Sequence, residues 1–481
     1  MLIHFLWPVL FFHSAFSYYS IEDANPKAIS NDTTNAVAHQ NVLAMLDAFN
    51  SANTDPSPAN RVVLLPAGKT FYFFNVTVTG VSNMTLRIEG TFAISNNITE
   101  WERILQMPKH INDEDHPSGL LIEYSTNIEV TGNVIGILDG QGHDWWDYFY
   151  KGTDNRPFLF RMKHSKNVEI HQIHLRNSPF WNIDFVDMDT VHIHDMDVYV
   201  DWPAQHAYAK KYGAWDAATD QPYPANTDGM DLRGKNFLVE NVKIESGDDA
   251  VAIKPTNSYG NEQNCSVTGV CKNAVVGNIY SNCSQDMIIR NVITIHTVGL
   301  AVGSIPPDVG MNCIKNILFE NIQHTLTPYR GFYIKTNPGN EGTGVVDNIT
   351  VRNMFANGTQ DTFLYIGPQQ QQIPGTNGTG CSSKWPYESN ECATQPLVNI
   401  TNVYIENALA YNSHHMPGLI WCDPTNKCKN ISLIGPFGLI SNATFNSQSM
   451  LRQSTWSSQQ VREKIPLAVV DYLTSDRFWG L

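Results

Sequence analysis

The chain has no uninterrupted apolar run of 18 or more residues, so its sequence does not predict a membrane-spanning helix. Charge is also scarce, at 16% of the 481 residues, and acidic residues dominate, with a formal net charge of −15. Tight nucleic-acid binding needs a basic face that neutralises phosphates, so this composition argues against that class of function. A local basic cleft could still bind an acidic polymer.

Sequence signatures of common cofactors are missing as well. The chain contains no P-loop, and no Gly-x-Gly-x-x-Gly follows a predicted strand, which argues against a nucleotide or flavin enzyme. No Cys-x-x-Cys pair and no His/Cys cluster has the spacing of a zinc site. The sequence therefore predicts neither a cofactor nor a metal site.

Cysteine is absent from the first half of the chain, and all eight cysteines lie beyond residue 260. An even number of cysteines in a secreted chain is typical of disulfide bonding, but spacing alone leaves the connectivity open. Three close pairs and two more distant residues are available: Cys265/Cys271, Cys381/Cys392, Cys422/Cys428, and Cys283 with Cys313.

The amino terminus predicts export. Residues 1–17 are rich in Leu, Phe and Trp and end in Ala15-Phe16-Ser17, a small-x-small cleavage pattern; a buried terminal strand is the alternative. Twelve Asn-x-Ser/Thr sequons also favour a secretory route. We expect a signal peptide over 1–17 and one mature domain over 18–481, secreted to the extracellular space and monomeric, with no membrane partner.

Short β-branched runs recur from about residue 120, each led by Asn or a similar small residue. Their apolar/polar alternation predicts strands with one buried face. A recurrence of roughly 20–30 residues predicts the stacked coils of a parallel β-solenoid. Asn at the coil corners tolerates left-handed backbone and can ladder between coils. The runs are 167–175, 190–198, 236–244, 287–295, 316–324, 348–356 and 399–407.

Open solenoid ends need covering. The sequence predicts a short amino-terminal capping helix over 35–50 with Asn35 as its N-cap, and a first strand and turn over 61–68. The carboxy-terminal residues 457–481 are predicted to pack as a tail. Helical spacing assigns the buried face of the cap to Ala38, Val42, Met45, Leu46 and Phe49.

Two acidic motifs, NTDG and SGDDAVAIK, begin twenty residues apart, at Asn226 and Ser246. This separation is about one coil, so Asp228 and Asp248 are expected on the same side of adjacent coils. Asp248 and Asp249 are consecutive, and both can line one groove only if a turn or bulge breaks the strand alternation. Clustered carboxylates shift one another's pKa values, a pattern typical of acid/base catalysis.

These motifs give the chain a resemblance to the polygalacturonases, family 28 of the glycoside hydrolases. The agreement runs in order over roughly 35–440 and implies an all-β fold, a single-stranded right-handed parallel β-helix. It also implies inverting hydrolysis of α-linked sugars in a pectic polysaccharide. Six ordered motifs carry it: LDGQG (138–142), NSPFWNI (177–183), NTDGMD (226–231), SGDDAVAIK (246–254), GLAVGS (299–304) and YIKTNPG (333–339).

The resemblance also implies roles for individual residues. Asp248 matches the general acid that protonates the leaving oxygen, while Asp228 and Asp249 match the groups that orient and deprotonate water. An inverting pair of carboxyl groups is expected to lie ~6.5–9.5 Å apart. Lys335 matches the lysine that holds a galacturonate carboxylate, and Asn226 matches a residue that supports the aspartates through hydrogen bonds.

The chain departs from the family pattern at two places. Val298 stands where a histidine is usual, and His296, two residues earlier, would need a bulge to replace it. Tyr333 stands where an arginine is usual, with Arg330 just upstream, and its ring could stack on a sugar face. These departures leave two alternatives open: a hydrolase of rhamnogalacturonan or another branched pectin, and a non-catalytic pectin-binding relative. A calcium-dependent lyase fits the motifs less well.

A segment that precedes the first acidic motif bears on the mode of attack. Residues 201–225 carry Trp202, Trp215 and Tyr223 and could wall one end of the groove, which would favour attack on chain ends. The alternative is an elaboration of the surface away from the site. The sequence leaves exo and endo action open.

Overall fold

The computed structural model describes most of the chain. The predicted signal peptide and tail, and the pairs Cys265/Cys271 and Cys381/Cys392, lie outside the described residues. The described ranges are 18–111, 115–216, 221–222, 225–255, 283–305, 311–326, 329–336, 343–360, 362–368, 396–411 and 417–440.

Strands dominate these ranges, and four α-helices interrupt them. The helices are α1 Asn35–Thr54, α2 Ile98–Leu105, α3 His143–Tyr150 and α4 Trp202–Tyr212. The strands are β1 Tyr19–Ser20, β2 Val62–Leu65, β3 Thr70–Phe73, β4 Val76–Thr79, β5 Ser82–Ile88, β6 Thr91–Ile94, β7 Ser118–Glu123, β8 Thr126–Asp139, β9 Phe158–Lys163, β10 Lys166–Arg176, β11 Ile183–Tyr199, β12 Trp215–Asp216, β13 Gln221–Pro222, β14 Met230–Glu245, β15 Asp249–Ile253, β16 Ser284–Ile295, β17 Gly299–Ile305, β18 Met311–Thr325, β19 Phe332–Thr336, β20 Thr343–Asn357, β21 Leu364–Pro368, β22 Val398–Tyr411, β23 Gly418–Ile420 and β24 Lys429–Ile440. All seven predicted runs fall within strands.

Successive coils pair in parallel, so the chain winds as the predicted parallel β-helix. One side, which we call the groove face, consists of β4, β7, β9, the first parts of β11 and β14, then β15, β17, β19, β21 and β23. A second side, the back face, consists of β5 and the equivalent segments 126–131, 166–171, 189–194, 235–240, 285–290, 315–320, 347–352, 401–406 and 429–434.

The core is a column of side chains stacked one coil above the next. Because a single coil cannot enclose its own inner face, each apolar residue is covered by its equivalents in the neighbouring coils. One such column is buried along ten coils and comprises Leu86, Val130, Ile170, Ile193, Val239, Ile289, Phe319, Val351, Ile405 and Leu433.

An asparagine ladder follows one corner of the coils, as predicted. Each side-chain amide donates to the side-chain oxygen of the preceding coil at 2.8–3.2 Å, starting from a carboxylate oxygen of Asp195. Every member has φ between 51° and 56°, the left-handed region that asparagine and aspartate tolerate best. The other members are Asn241, Asn291, Asn321, Asn353 and Asn407.

The predicted capping helix is α1, which packs against β2–β5 near the first coils. The assignment of Asn35 as the N-cap is wrong: the N-cap is Thr34, whose backbone is extended, and Asn35 is the first helical residue. The first strand is also earlier than predicted, because β1 pairs with β2. Ala38, Met45 and Phe49 of the predicted apolar face are buried, and Val42 and Leu46 are partly buried against the same core.

Two disulfide bonds lie among the described residues. Cys283 bonds Cys313 and joins two adjacent coils at β16 and β18. Cys422 bonds Cys428 across a short loop before β24. Among the described residues, no helix is both long enough and apolar enough to cross a membrane.

Candidate active site

Three carboxylates meet on the groove face. Asp228 lies in the turn that leads into β14, Asp248 ends the turn before β15, and Asp249 opens β15; these two strands are neighbours. One carboxylate oxygen from each of the three lies within 4.8 Å of the others. Asp228 is 4%, Asp248 8% and Asp249 0% exposed. The 4.8 Å limit refers to one oxygen of each residue, whereas the ~6.5–9.5 Å expected of an inverting pair refers to the separation between whole carboxyl groups. We call these residues the acid trio.

Backbone irregularity at the second turn allows consecutive aspartates to share the site. Gly247 has φ +79°, which a side chain adopts only with strain. The strand register then shifts between Asp249 and Val251, so the regular alternation is broken, as predicted. The backbone N–H groups of Asn226 and Asp249 donate to the two oxygens of Asp248, at 3.0 and 2.8 Å.

Asp249 is held by two donors from β19, although its carboxylate is fully buried. Tyr333 donates its hydroxyl to Oδ1, and Lys335 Nζ donates to Oδ2 at 2.5 Å. Ala252 of β15 and Ala301 of β17 stand in the same row as Tyr333, and their small side chains leave room for the tyrosine ring. The buried negative charge is thus offset by one cation and one phenol.

Burial and repulsion between neighbouring carboxylates raise the pKa values of Asp248 and Asp228. Burial, followed by the charge of Asp249, raises the pKa of Asp248 to about 7, although Lys335 opposes the rise. Burial, followed by the charge of Asp248, raises the pKa of Asp228 well above its ordinary value. A buried carboxyl group that is still protonated near neutral pH is suited to general acid catalysis.

Helix α4 packs against both acidic turns. It comes from the segment 201–225, which was predicted as a possible groove wall. Gln205 donates its side-chain amide to the Thr227 hydroxyl at 3.1 Å, and that hydroxyl donates to the Ser246 carbonyl. A Cβ at Gly247 would lie 2.6 Å from the Gln205 side-chain oxygen. The helix therefore positions the turns on which Asp228 and Asp248 stand.

The residues at the two departures from the family pattern surround the trio. Val298 donates its backbone N–H to the carbonyl of Asp248 at 2.7 Å. His296 has φ 48°, hydrogen-bonds Glu245 through Nδ1 at 2.8 Å, and stacks on Trp202 with ring centroids 4.4 Å apart. Its carbonyl accepts from the N–H of Gly247 at 2.8 Å, so it supports the turn that carries Asp248 through the backbone.

Arg330 and Tyr333 pack behind the trio. The Arg330 guanidinium lies 4.9 Å from the ring centroid of Tyr333 and 4.5 Å from that of Tyr365. Arg330 is buried, and Tyr333 is 2% exposed. Tyr333 therefore offers its hydroxyl to Asp249 and presents almost no ring surface for a sugar to stack on.

Comparison with known proteins places this geometry in a family. The family model described as Glycosyl hydrolases family 28 matches residues 58–366, which is more than half of the chain. The chain belongs to this family. It is 27% identical to Exopolygalacturonase B of Aspergillus niger over 389 residues, which cover 77% of this chain and 73% of that protein. This family 28 member is therefore a polygalacturonase-like glycosidase.

Solved structures confirm the fold of this family 28 member. It is similar to the endo-xylogalacturonan hydrolase from Aspergillus tubingensis, with a TM-score of 0.58 and 17% identity over 83% of this chain and 89% of that one. It is also similar to the polygalacturonase from Erwinia carotovora ssp. carotovora, with a TM-score of 0.54 and 18% identity over 89% of this chain and 96% of that one.

A second buried charge cluster adjoins the acid trio of this family 28 member, and the sequence analysis missed it. Asp231 Oδ1 lies 3.1 Å from Lys254 Nζ. Asp184 lies 2.5 Å from Arg161 and 3.2 Å from Arg233. Burial raises the pKa of Asp231 to about 7 against the opposing charge of Lys254. Asp231 and Lys254 both stand inside the quoted motifs, so their sequence signal was present but was assigned no role.

Proposed function

We propose that this family 28 member hydrolyses α-glycosidic bonds in a galacturonate-containing pectic polysaccharide by inverting acid/base catalysis. The acid trio carries the proposal, because three buried carboxylates with oxygens within 4.8 Å serve no evident structural purpose. Asp248 protonates the leaving oxygen. Asp228 and Asp249 orient a water molecule, and the ionised carboxylate of this pair accepts its proton as the water attacks the anomeric carbon.

The contacts of Asp249 support attack by water. Both oxygens of this carboxylate are hydrogen-bonded, one by Tyr333 and the other by Lys335, so the group is restrained from swinging toward an anomeric carbon. A restrained carboxylate can orient water, and water attack gives inversion. The raised pKa of Asp248 supports its role as the proton donor at acidic pH.

Substrate recognition is proposed to depend on Lys335 and Asn226. Lys335 is a compact cation in contact with the trio and is suited to a galacturonate carboxylate at the cleavage point. Asn226 supports the acid through its backbone N–H. The name of the Aspergillus niger relative favours a galacturonan. The replacement of the usual arginine by Tyr333 favours the second candidate, a hydrolase of rhamnogalacturonan or another branched pectin.

The mode of attack is proposed to be exo. Helix α4 packs against both acidic turns, and Trp202 at its start stacks on His296 beside them. We propose that a helix in this position occupies space that an internal chain segment would need. The name of the Aspergillus niger relative agrees with attack on chain ends. We further propose that the protein is secreted after removal of residues 1–17.

Product analysis tests the proposal directly. Polygalacturonate and rhamnogalacturonan are each incubated with the protein at acidic pH, and the released reducing ends and chain lengths are measured. We expect single sugar units from polygalacturonate, with proton NMR of the first product showing inverted anomeric configuration. Release from rhamnogalacturonan alone would favour the second candidate, and a retained anomer would exclude the inverting mechanism.

An inactive variant separates catalysis from binding. Asp248→Asn keeps the size of the side chain but removes the transferable proton, so product release should stop while oligogalacturonate binding persists. Binding of both proteins without product from either would support the non-catalytic pectin-binding alternative. An unsaturated product that absorbs in the ultraviolet, and that no longer forms when a chelator is added, would indicate a lyase.

A further inference from the structure

The back face carries a cluster of imidazoles that the glycosidase reaction does not use. Strand alternation buries Ile170 and Ile193 and turns the residues beside them outward. Glu169 is paired in register with His192, and His171 is paired with His194. One donor atom each from Glu169, His192 and His194 lies within 4.8 Å of the others.

The cluster is accessible and already close to the spacing that a metal ion requires. The side chains of Glu169 and His192 are 50% and 36% exposed. Zinc bonds to imidazole nitrogen and carboxylate oxygen are ~2.0–2.2 Å long, which places the ligands of one tetrahedral ion ~3.4 Å apart. His194 Nε2 and Glu169 Oε1 are 3.1 Å apart. The third donor atom, from His192, lies within 4.8 Å of both.

Neighbouring carboxylates hold the imidazoles in place. Asp195 Oδ2 hydrogen-bonds Nδ1 of His194 at 2.8 Å, which leaves Nε2 facing Glu169. Asp195 is itself fixed, because its other oxygen accepts from the first amide of the asparagine ladder. Glu240 lies 3.0 Å from Nε2 of His192 and is anchored by Arg290 at 2.7 Å. A carboxylate on the far nitrogen of a histidine is the usual support of a metal ligand.

The imidazole rings of the cluster and of the neighbouring His171 also stack on one another. The ring centroids of His192 and His194 are 4.1 Å apart, and those of His171 and His194 are 5.0 Å apart in nearly parallel planes. This stacking holds rings from two adjacent coils side by side, so the donor atoms of the cluster are brought together before an ion binds.

We propose that Glu169, His192 and His194 form a binding site for a divalent transition-metal ion, with Zn²⁺ as the representative ion. Two imidazoles and one carboxylate match the zinc ligand set and leave one position for water. The ion would tie the coil of β10 to that of β11. We propose no role for the site beyond ion binding. Strand β11 also carries Asp184 on the groove face, but the chain turns at Asp187 and Thr190, between Asp184 and the two histidines. The inference is independent of the proposed substrate.

Zinc titration of the full mature chain near neutral pH tests the proposal. Isothermal titration calorimetry should give one bound Zn²⁺ per chain. Cu²⁺ in its place should give an electron paramagnetic resonance spectrum with hyperfine splitting from two nitrogens. The double variant His192→Gln/His194→Gln should bind Zn²⁺ at least ~10-fold more weakly. Mutation of a residue that only supports a metal ligand already lowers metal affinity by about this factor. The double variant should keep glycosidase activity, because neither histidine contacts the acid trio.

Two matched variants decide between sites. His174→Gln alters a histidine of the neighbouring strand β10 that pairs with Asp197 outside the cluster, and it should bind Zn²⁺ as the parent does. Asp248→Asn alters the acid trio, the other group of side chains close enough to hold an ion among the described residues. Loss of binding in Asp248→Asn but not in the double variant, equal binding by all variants, or no binding by the parent would each overturn the proposal. Far-ultraviolet circular dichroism checks that each variant is folded.

Discussion

The groove face and the back face are built from the same coils, yet they place charge in opposite ways. On the back face, glutamates and arginines alternate from coil to coil, with Glu240 2.6 Å from Arg290 and Glu320 2.6 Å from Arg352, all partly exposed. On the groove face, three aspartates are buried side by side. The first arrangement lowers the electrostatic free energy of the folded protein, whereas the second raises it.

The difference shows where the fold tolerates electrostatic cost. A parallel β-helix obtains its stability from a continuous core, so one face can carry unfavourable charge without loss of the fold. On the groove face the cost is partly offset by Lys335 and by backbone N–H groups of the turns. Such strained carboxylates are typical of catalytic sites. Removal of a charge on the groove face should therefore lower activity without lowering stability. Removal of a charge on the back face should slightly lower stability and leave activity unchanged.

The largest contrast is expected between Asp249→Asn and Glu320→Gln. Asp249→Asn removes the charge that we propose helps to activate water, and it should lower kcat by roughly 10²–10⁴-fold, the range for general acid/base groups. Glu320→Gln removes a back-face charge of the same sign and should leave kcat unchanged. Steady-state kinetics on polygalacturonate measures both. Equal loss in the two variants would mean that the acid trio has no special role.

The next effect concerns the buried phenol behind the trio. Tyr333→Phe removes the hydroxyl that donates to Asp249. Hydrogen bonds to charged groups contribute about 1.5–3 kcal/mol, so kcat should fall by about 10–100-fold while KM changes less. Tyr365→Phe is the matched control, because this neighbouring buried hydroxyl donates to the carbonyl of Pro368. If Tyr365→Phe lowers kcat as much, the loss comes from packing rather than from the carboxylate.

A glycine pair separates backbone strain from the geometry of the site. Gly247→Ala and Gly80→Ala both place a side chain at positive φ, +79° and +72°, and each should destabilise the protein by about 1–2 kcal/mol. Only at Gly247 does the new methyl meet Gln205, so only Gly247→Ala should also lower kcat. Urea unfolding and kinetics measure the two effects. The double variant Gly247→Ala/Gln205→Ala tests the contact between the new methyl group and Gln205. It should recover part of the lost activity, provided that Thr227 keeps its position without the hydrogen bond from Gln205.

Stability should depend on pH through Asp248. Its pKa in the folded protein is raised from 3.8 to about 7 by burial first and by Asp249 second, so the folded state binds a proton that the unfolded chain releases. The stability from this proton is complete below the unfolded pKa and is lost as pH rises through about 7. Asp248→Asn should therefore melt at a higher temperature than the parent at pH 8, with a smaller difference at pH 4. Calorimetry at both pH values measures this, and an unchanged difference would contradict the raised pKa.

The smallest effect is expected on the back face. The pair of Arg352 with Glu320 is partly exposed, and such pairs contribute about 0–1 kcal/mol. Arg352→Met should therefore change the free energy of unfolding by less than that amount, and added salt should reduce the difference. Urea unfolding at low and high salt is the measurement. A loss of several kcal/mol would show that the alternating charges hold the coils together.

The fold was predictable because its signals are local. Alternation of apolar and polar residues and the recurrence of asparagines indicated stacked coils, and the ladder through Asn291, Asn321 and Asn353 confirms that interpretation. The N-cap of α1 was assigned one residue too late. Asn and Thr both favour that position, and neighbouring residues alone do not show which of them leaves the helix.

The candidate site was predictable in part. The acid trio and Lys335 stand in motifs whose residue types suggested their chemistry, and the structure brings all four together. The sequence analysis did not assign roles to Asp231 or Lys254, because their pairing depends on which residues of neighbouring coils are in register. The burial of Tyr333 depends on Ala301, one coil away, and on Ala252, two coils away.

The sequence by itself determined the class of fold and the residue types available for catalysis, since alternation, turn residues and acidic motifs act over a few positions. The number of residues in each coil, and hence the register between coils, was decided only when the chain folded. That register places Asp249 within reach of Tyr333 and Lys335, more than eighty residues away. It also joins Glu169 to His192 and His194, a cluster that no linear spacing indicated.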